Sequence, residues 1–251
     1  LAKHLTKSAA DNPAARYEVA RHYEGAKRFR EARAQALAAA KYAASLGALK
    51  ERAAALDLAK RVKEEYDGEI AAQLCSCHLD LKAFAQLYEL CAEAENQTSL
   101  IPSVARDFAY FRIAGDNESG RASLSRTRES LESLLVNQAD SFPHQQDAQT
   151  LLMRTGVRSG DHLLARRIAR DLRKNDPRRN LGELPAHALQ ASAYVAAKFY
   201  SPRRALPLLE AALGKAQAEN HWGLEQLCRA GIGAVLRQLG RYRDSIAQLR
   251  Y

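Results

Sequence analysis

The chain has little of what sheets, membranes or active sites require. β-Branched residues are sparse and nowhere alternate at period two over a strand length, which leaves no credible sheet. Aromatics make up 7% of 251 residues, with one Trp and one Met. No apolar run approaches the roughly 20 residues that span a bilayer. The opening LAKHLTKSAA lacks the apolar core of a secretory signal. Four cysteines, three of them between positions 75 and 91, form no disulfide framework, so a reducing cytoplasm is expected. Hydrolase, zinc-protease and phosphate-loop motifs are missing. Gly156-Val157-Arg158-Ser159-Gly160 is glycine-flanked but has neither the lysine nor the preceding strand of a phosphate loop, and reads as an inter-helix turn. The seven histidines are scattered, and the carboxylate pair Glu64-Glu65 falls on a solvated helix end. With no base, nucleophile and oxyanion donor converging, no enzyme activity, catalytic residue or cofactor is expected.

What is present favours helix. Alanine and leucine, the strong helix formers, are abundant. Asp11-Asn12-Pro13 offers a cap followed by a first-turn proline, Leu46-Gly47 and Asp67-Gly68 offer glycine stops, and Asn175-Asp176-Pro177 ends another helix. These marks predict about thirteen helices of roughly 12 to 20 residues with short connections. The longest irregular stretches, Glu95 to Pro102, Asp140 to His144 and Asn175 to Leu184, read as inter-repeat loops. Cys75, Cys77, His78 and Cys91 are zinc-ligand types, but Cys77 points to another side of the helix and the spacing matches no common motif. Core packing is the expectation there, and no metal site is expected.

The stretch Ala230 to Leu249, AGIGAVLRQLGRYRDSIAQL, reads as a helix, a tight turn and a second helix. It resembles a tetratricopeptide repeat, whose signature is W-x2-L-G-x2-Y, then A-x3-F, then P, at a period of about 34 residues. Gly233 keeps the signature glycine, Ile232 replaces its leucine, both aromatic positions are lost, and Ser245 and Leu249 take the A-x3-F spacing. Upstream, Ala205, Leu209 and Ala212 follow Phe199-Tyr200-Ser201-Pro202, while Ala165, Ala169 and Leu172 follow Gly160-Asp161-His162, with Pro177 at the place of the terminal proline. The small anchor thus recurs at 165, 205 and 245. Further back, Asp116 to Ser119 is read as a turn before Ala122 and Arg126, and Leu81 to Phe84 as a turn before Leu87, Cys91 and Ala94. The resemblance implies an all-α, right-handed superhelical solenoid of antiparallel helix pairs. Ala165, Ala169, Ala205, Leu209, Gly233, Gly240, Tyr242 and Ser245 would be its packing positions. Pentatricopeptide repeats share the hairpin but keep a tighter period and rank second.

The N-terminal third fits two registers. Tyr23, Phe29, Ala32 and Ala36 match the repeat pattern with Lys27 in place of glycine, pairing helices near 13 to 25 and 29 to 46. Alternatively, Leu46-Gly47-Ala48-Leu49 is the turn, pairing 29 to 46 with 49 to 65, with Arg52 at a small-residue position. Either way one of the first three helices lacks a regular partner, as at a junction or cap. The run Tyr17 to Glu24, then Arg28 to Ala32, then Ala38 to Ala48 also resembles the opening of the helical-repeat arm of bacterial STAND regulators, including MalT-like activators. That implies a role as sensor or partner platform in signal transduction. A single domain over 1–251 is expected, irregular over 1–68 and more regular over 69–251, as a piece of a longer chain.

Charge supplies the remaining signal. Thirty-eight Lys plus Arg stand against 29 Asp plus Glu, a net +9 that favours anionic partners. Arg166, Arg170 and Arg173 form one helical stripe available for anion contact, with no interleaved aromatics for stacking bases. The reading is therefore a non-catalytic scaffold or sensor module of a larger cytoplasmic, bacterial regulatory protein. Its partner would be a protein or peptide, acidic by charge complementarity, with weak non-specific nucleic-acid binding and no membrane. Helical phase places Arg154, Arg158, Gln190, Tyr194, Lys198, Gln226, Arg229 and Arg237 on the solvent side of the first helices, lining a concave face. The alternatives are an RNA-binding helical repeat using the basic surface and, last, a helical enzyme domain.

Overall fold

Left-handed residues stand in six of the connections between helices: Lys27 (φ 55°), Gly47 (66°), Lys82 (56°), Gly120 (75°), Gly160 (79°) and Gly240 (76°). At most of these turns a backbone N–H reaches back five residues to a carbonyl of the finished helix. Arg28 bonds Tyr23, Ala48 bonds Ala43, Ala83 bonds His78, Asp161 bonds Gly156 and Arg241 bonds Leu236, all at 2.8 to 2.9 Å. This is the Schellman arrangement, which satisfies the last carbonyls while reversing the chain, so that the next helix lies antiparallel to the last. Ser201 makes the same bond to Ala196 and also caps the following helix, its hydroxyl accepting from Arg203 N at 3.2 Å.

The computed structural model describes residues 12–63, 65–98, 100–136, 142–174, 186–219 and 221–249. Among them are thirteen α-helices and no strand: α1 Pro13–Gly25, α2 Phe29–Ser45, α3 Leu49–Arg61, α4 Gly68–Asp80, α5 Phe84–Glu95, α6 Pro102–Glu118, α7 Leu124–Val136, α8 Gln145–Ser159, α9 His162–Lys174, α10 Ala186–Phe199, α11 Pro202–Ala218, α12 Trp222–Gln238 and α13 Tyr242–Leu249. None is long and apolar enough to cross a membrane. The expected stop at Asn175-Asp176-Pro177 and the loop Asn175 to Leu184 lie outside the described residues, as do Glu64 and the Arg173 side chain.

The chain divides into two compact units, Leu1–Ser119 with α1 to α6 and Gly120–Tyr251 with α7 to α13. Within each, every helix packs on its successor, and alternate helices also touch: α4 with α6, α8 with α10, α10 with α12. The close contacts fall on small residues four positions after the turn. Ala32, Ala165 and Ala205 are fully buried there and Ser245 nearly so, while Leu87 fills the same slot in the first unit. A glycine completes the approach where α8 meets α9. A Cβ on Gly156 would sit 3.4 Å from the Ala165 nitrogen and the Asp161 carbonyl oxygen.

In the first unit, Asn12 caps α1, its Oδ1 accepting from Ala14 N at 2.9 Å, with Pro13 following as expected. Both N-terminal turns form, and α2 packs on α1 and on α3. Two ion pairs cross between alternate helices. Arg33 on α2 reaches Asp67, the cap of α4, at 2.5 Å, and Lys60 on α3 reaches Glu93 on α5 at 2.6 Å. They span 34 and 33 residues, close to one repeat, and this two-helix step is compatible with either pairing of α2, with α1 or with α3.

Two local expectations are corrected. Asp67-Gly68 starts a helix instead of stopping one: Asp67 Oδ1 accepts from Ile70 N at 3.2 Å. Gly68 is small because a Cβ there would meet Leu100 at 2.8 Å and Val104 at 3.0 Å. The Asp116 to Ser119 segment is not a turn before an Ala122/Arg126 anchor. α6 runs through it to Glu118, Gly120 takes the left-handed turn, and Ser123 Oγ accepts from Arg126 N at 3.3 Å. α7 consequently buries Thr127 and Leu131, leaving Arg126 exposed.

Candidate functional site

The turn bonds at Asp161, Ser201 and Arg241, forty residues apart, define equivalent positions on α8, α10 and α12 in the second unit. Arg154 and Tyr194 lie seven residues before their turns and are half-buried, while Arg158 and Lys198 lie three before and are exposed. Arg237 is likewise exposed near the end of α12. Arg158, Lys198 and Arg237 make no ion pair among the described residues. Gln226 and Arg229 are half-buried, and Arg229 is held against Glu225 at 2.8 Å.

Gln190 departs from expectation. It is fully buried, and neither amide atom has a hydrogen-bond partner among the described residues. The reason is packing: α10 touches α8, α9, α11 and α12, so almost every position from Ala186 to Ala196 is enclosed, whatever its helical phase predicts. Tyr242, expected to pack, is 63% exposed because Ser245, three residues on, is the side chain that faces α12. Gly240 is the exposed, left-handed turn residue, and a Cβ on buried Gly233 would meet Leu249 at 3.1 Å.

The basic stripe on α9 does have aromatic company. Arg166 and Arg170 are exposed. The Arg166 guanidinium lies 5.1 Å from the ring centre of Tyr200 and 5.9 Å from that of Phe199, and His162 meets Phe199 edge-on at 4.3 Å. These rings belong to the end of α10, so a reading along α9 alone could not find them.

No nucleophile emerges from the cysteines. Cys75, Cys77, Cys91 and Cys228 are all buried and free. The neighbouring Cys91 thiol and burial push Cys75 up, burial also pushes up Cys77, and Cys228 to about 12, whereas Cys75 holds Cys91 below its ordinary value. The three raised thiols have little thiolate character, and Cys91 is closed off by burial, its Sγ donating to the Phe108 carbonyl oxygen at 3.8 Å. His78 lies on α4, where burial pushes its pKa down. A groove of 340 Å3 along α7, lined by Leu124, Ser125, Arg128, Glu129, Glu132 and Ser159, holds charge but no paired nucleophile and base.

One grouping was invisible in the sequence. Asp147 in the first turn of α8, His187 on α10 and His221 at the N-cap of α12 place one ligand-type atom each within 4.8 Å of the others, and all three are partly buried. Burial pushes the His187 pKa down despite nearby Asp147, whose Oδ1 is 3.3 Å from His187 Nδ1. No local spacing could have flagged residues 147, 187 and 221 as neighbours.

Comparison of the sequence with protein-family models and with curated proteins gives no match. The conclusion that stands is architectural: an all-α protein of paired antiparallel helices, consistent with a helical-repeat fold.

Proposed function

We propose that this chain is a tetratricopeptide-like, right-handed helical-repeat module that binds a protein or peptide partner without catalysis, within a larger cytoplasmic regulatory protein of bacterial type. The observation that carries the reading is the recurrence of exposed cationic positions at the repeat step on first helices: Arg158 on α8 and Lys198 on α10, with Arg237 toward the end of α12. Cations that recur with the scaffold and make no ion pair among the described residues suit an extended acidic segment, which would meet them one after another. Acidic peptides should bind with salt-sensitive affinity in a fluorescence-anisotropy titration. The triple variant Arg158→Glu, Lys198→Glu, Arg237→Glu should lose that binding while keeping its helical circular dichroism. Undiminished binding by the triple variant counts against this face.

The RNA-binding alternative draws on a different observation, the exposed Arg166 beside Tyr200 and Phe199, since a guanidinium with aromatic faces suits unstacked bases. Weak, salt-labile and sequence-indifferent RNA binding is expected. Tight, sequence-selective binding that vanishes on replacing Arg166, Arg170 and Arg173 by Gln would put this reading first.

A further inference from the structure

The N-terminal ends of α8, α10 and α12 converge on a set of side chains that neither the repeat packing nor the proposed binding face uses. We propose that Asp147, His187 and His221 form a binding site for a divalent transition ion of the zinc class, held by one carboxylate oxygen and two imidazole nitrogens. Two imidazoles with a carboxylate is a ligand set that suits zinc and its neighbours. The three ligand-type atoms already lie within 4.8 Å of one another, with His187 Nδ1 and Asp147 Oδ1 at 3.3 Å. The two imidazole rings stand edge to face at 5.0 Å between centres. Zinc bonds of roughly 2.0 to 2.2 Å set tetrahedral ligand atoms a little over ~3 Å apart. Small side-chain rotations therefore complete the site without moving a helix.

The surroundings support the assignment. Thr150 and Gln190 lie three residues beyond Asp147 and His187, on the same helix faces, and their buried polar atoms have no hydrogen-bond partner among the described residues. The three ligands come from α8, α10 and the N-cap of α12, so an ion would add His221 to the contact that Asp147 and His187 already make between α8 and α10. A three-ligand set also leaves one tetrahedral position open for water or for a donor atom of a bound partner.

Binding has a local consequence at His221. Its Nδ1 accepts the Leu224 N–H at 3.3 Å, so Nε2 carries the proton of the neutral ring. To ligate through Nε2 the proton must move to Nδ1, and to ligate through Nδ1 the lone pair must leave the Leu224 N–H. Either way the ion and the helix cap compete for the same imidazole, which supplies a variant that separates them. Asn is a strong N-cap residue, so His221→Asn keeps the cap and removes the ligand.

The test uses the full chain stripped of metal by chelation, with Zn2+ alone as the titrant in calorimetry and Co2+ as a spectroscopic substitute. A single ion per chain is expected, with a rise in melting temperature under excess Zn2+. Co2+ should give a visible spectrum without a thiolate charge-transfer band. His221→Asn should melt like the metal-free wild type and lose both the stoichiometric ion and the Zn2+-dependent rise; Asp147→Asn and His187→Gln should lose the ion as well. The proposal is overturned if the wild type takes up no stoichiometric Zn2+, if His221→Asn and Asp147→Asn bind it undiminished, or if a thiolate band ties the ion to the buried cysteines.

Discussion

Ser245 Oγ donates a 2.7 Å hydrogen bond to the carbonyl oxygen of Gly233, twelve residues earlier on the preceding helix. A hydroxyl reaches that backbone only because α12 and α13 are in close contact, and the same slot one repeat earlier holds the fully buried Ala205. Ala205→Arg should therefore destabilise by roughly 1–3 kcal/mol or more through overpacking. Arg204→Ala, one residue away and exposed, should stay within about 0.5 kcal/mol of wild type. Urea melts of the two variants decide it, and equal midpoints would show that the slot is not tight.

The left-handed turn residues supply a second comparison. Lys27 and Lys82 hold φ near +55° where four other turns use glycine. A side chain in that region costs about 1 kcal/mol or more, whereas glycine adopts it freely. Lys82→Gly should raise the thermal midpoint, and Gly160→Ala or Gly240→Ala should lower it. A fall for Lys82→Gly would mean that its side chain contributes more than the backbone strain costs.

Acid should act through Asp67. Burial alone would raise its pKa, but the Ile70 N–H, Lys63 and Arg33 outweigh it and hold the value below that of an ordinary carboxylate. The folded state therefore gains stability above the unfolded pKa of about 3.9, and the gain is lost as pH falls through the lower folded value. Asp67→Asn should cost on the order of 1 kcal/mol at pH 7, with the gap to wild type closing below about pH 4. Denaturant melts at pH 7 and pH 3 check this, and a gap that widens in acid would reverse the sign.

Gln190 offers a gain. A buried amide with no partner forfeits its hydration, at a cost of about 1–3 kcal/mol. Gln190→Met keeps the length of the side chain and removes both unpartnered atoms, so it should stabilise by about 1 kcal/mol or more. A destabilised variant, measured by thermal melt, would show that the amide has a role the packing does not reveal.

Sequence alone determined the secondary structure and most of the helix boundaries, because these rest on short-range physics. Asn12-Pro13 capped and opened α1, Gly160 and Gly240 supplied left-handed turns, and small residues at 165, 205 and 245 lay four positions past the turn-closing residues Asp161, Ser201 and Arg241. Tertiary structure decided what depends on several helices at once. Periodicity placed Gln190 in solvent because it assumes one buried face, and four neighbouring helices enclosed it. Asp, Asn and Ser at 116 to 119 signal a turn locally, yet α6 continues through them and the chain turns at Gly120, with Ser123 accepting from Arg126 N where the next helix starts. Arg166 met its aromatic rings, and Asp147 met His187 and His221, only when segments 34 to 74 residues apart came together. Local pattern carries the helices; proximity between distant helix ends exists only in the folded chain, because nothing in the spacing of those residues encodes it.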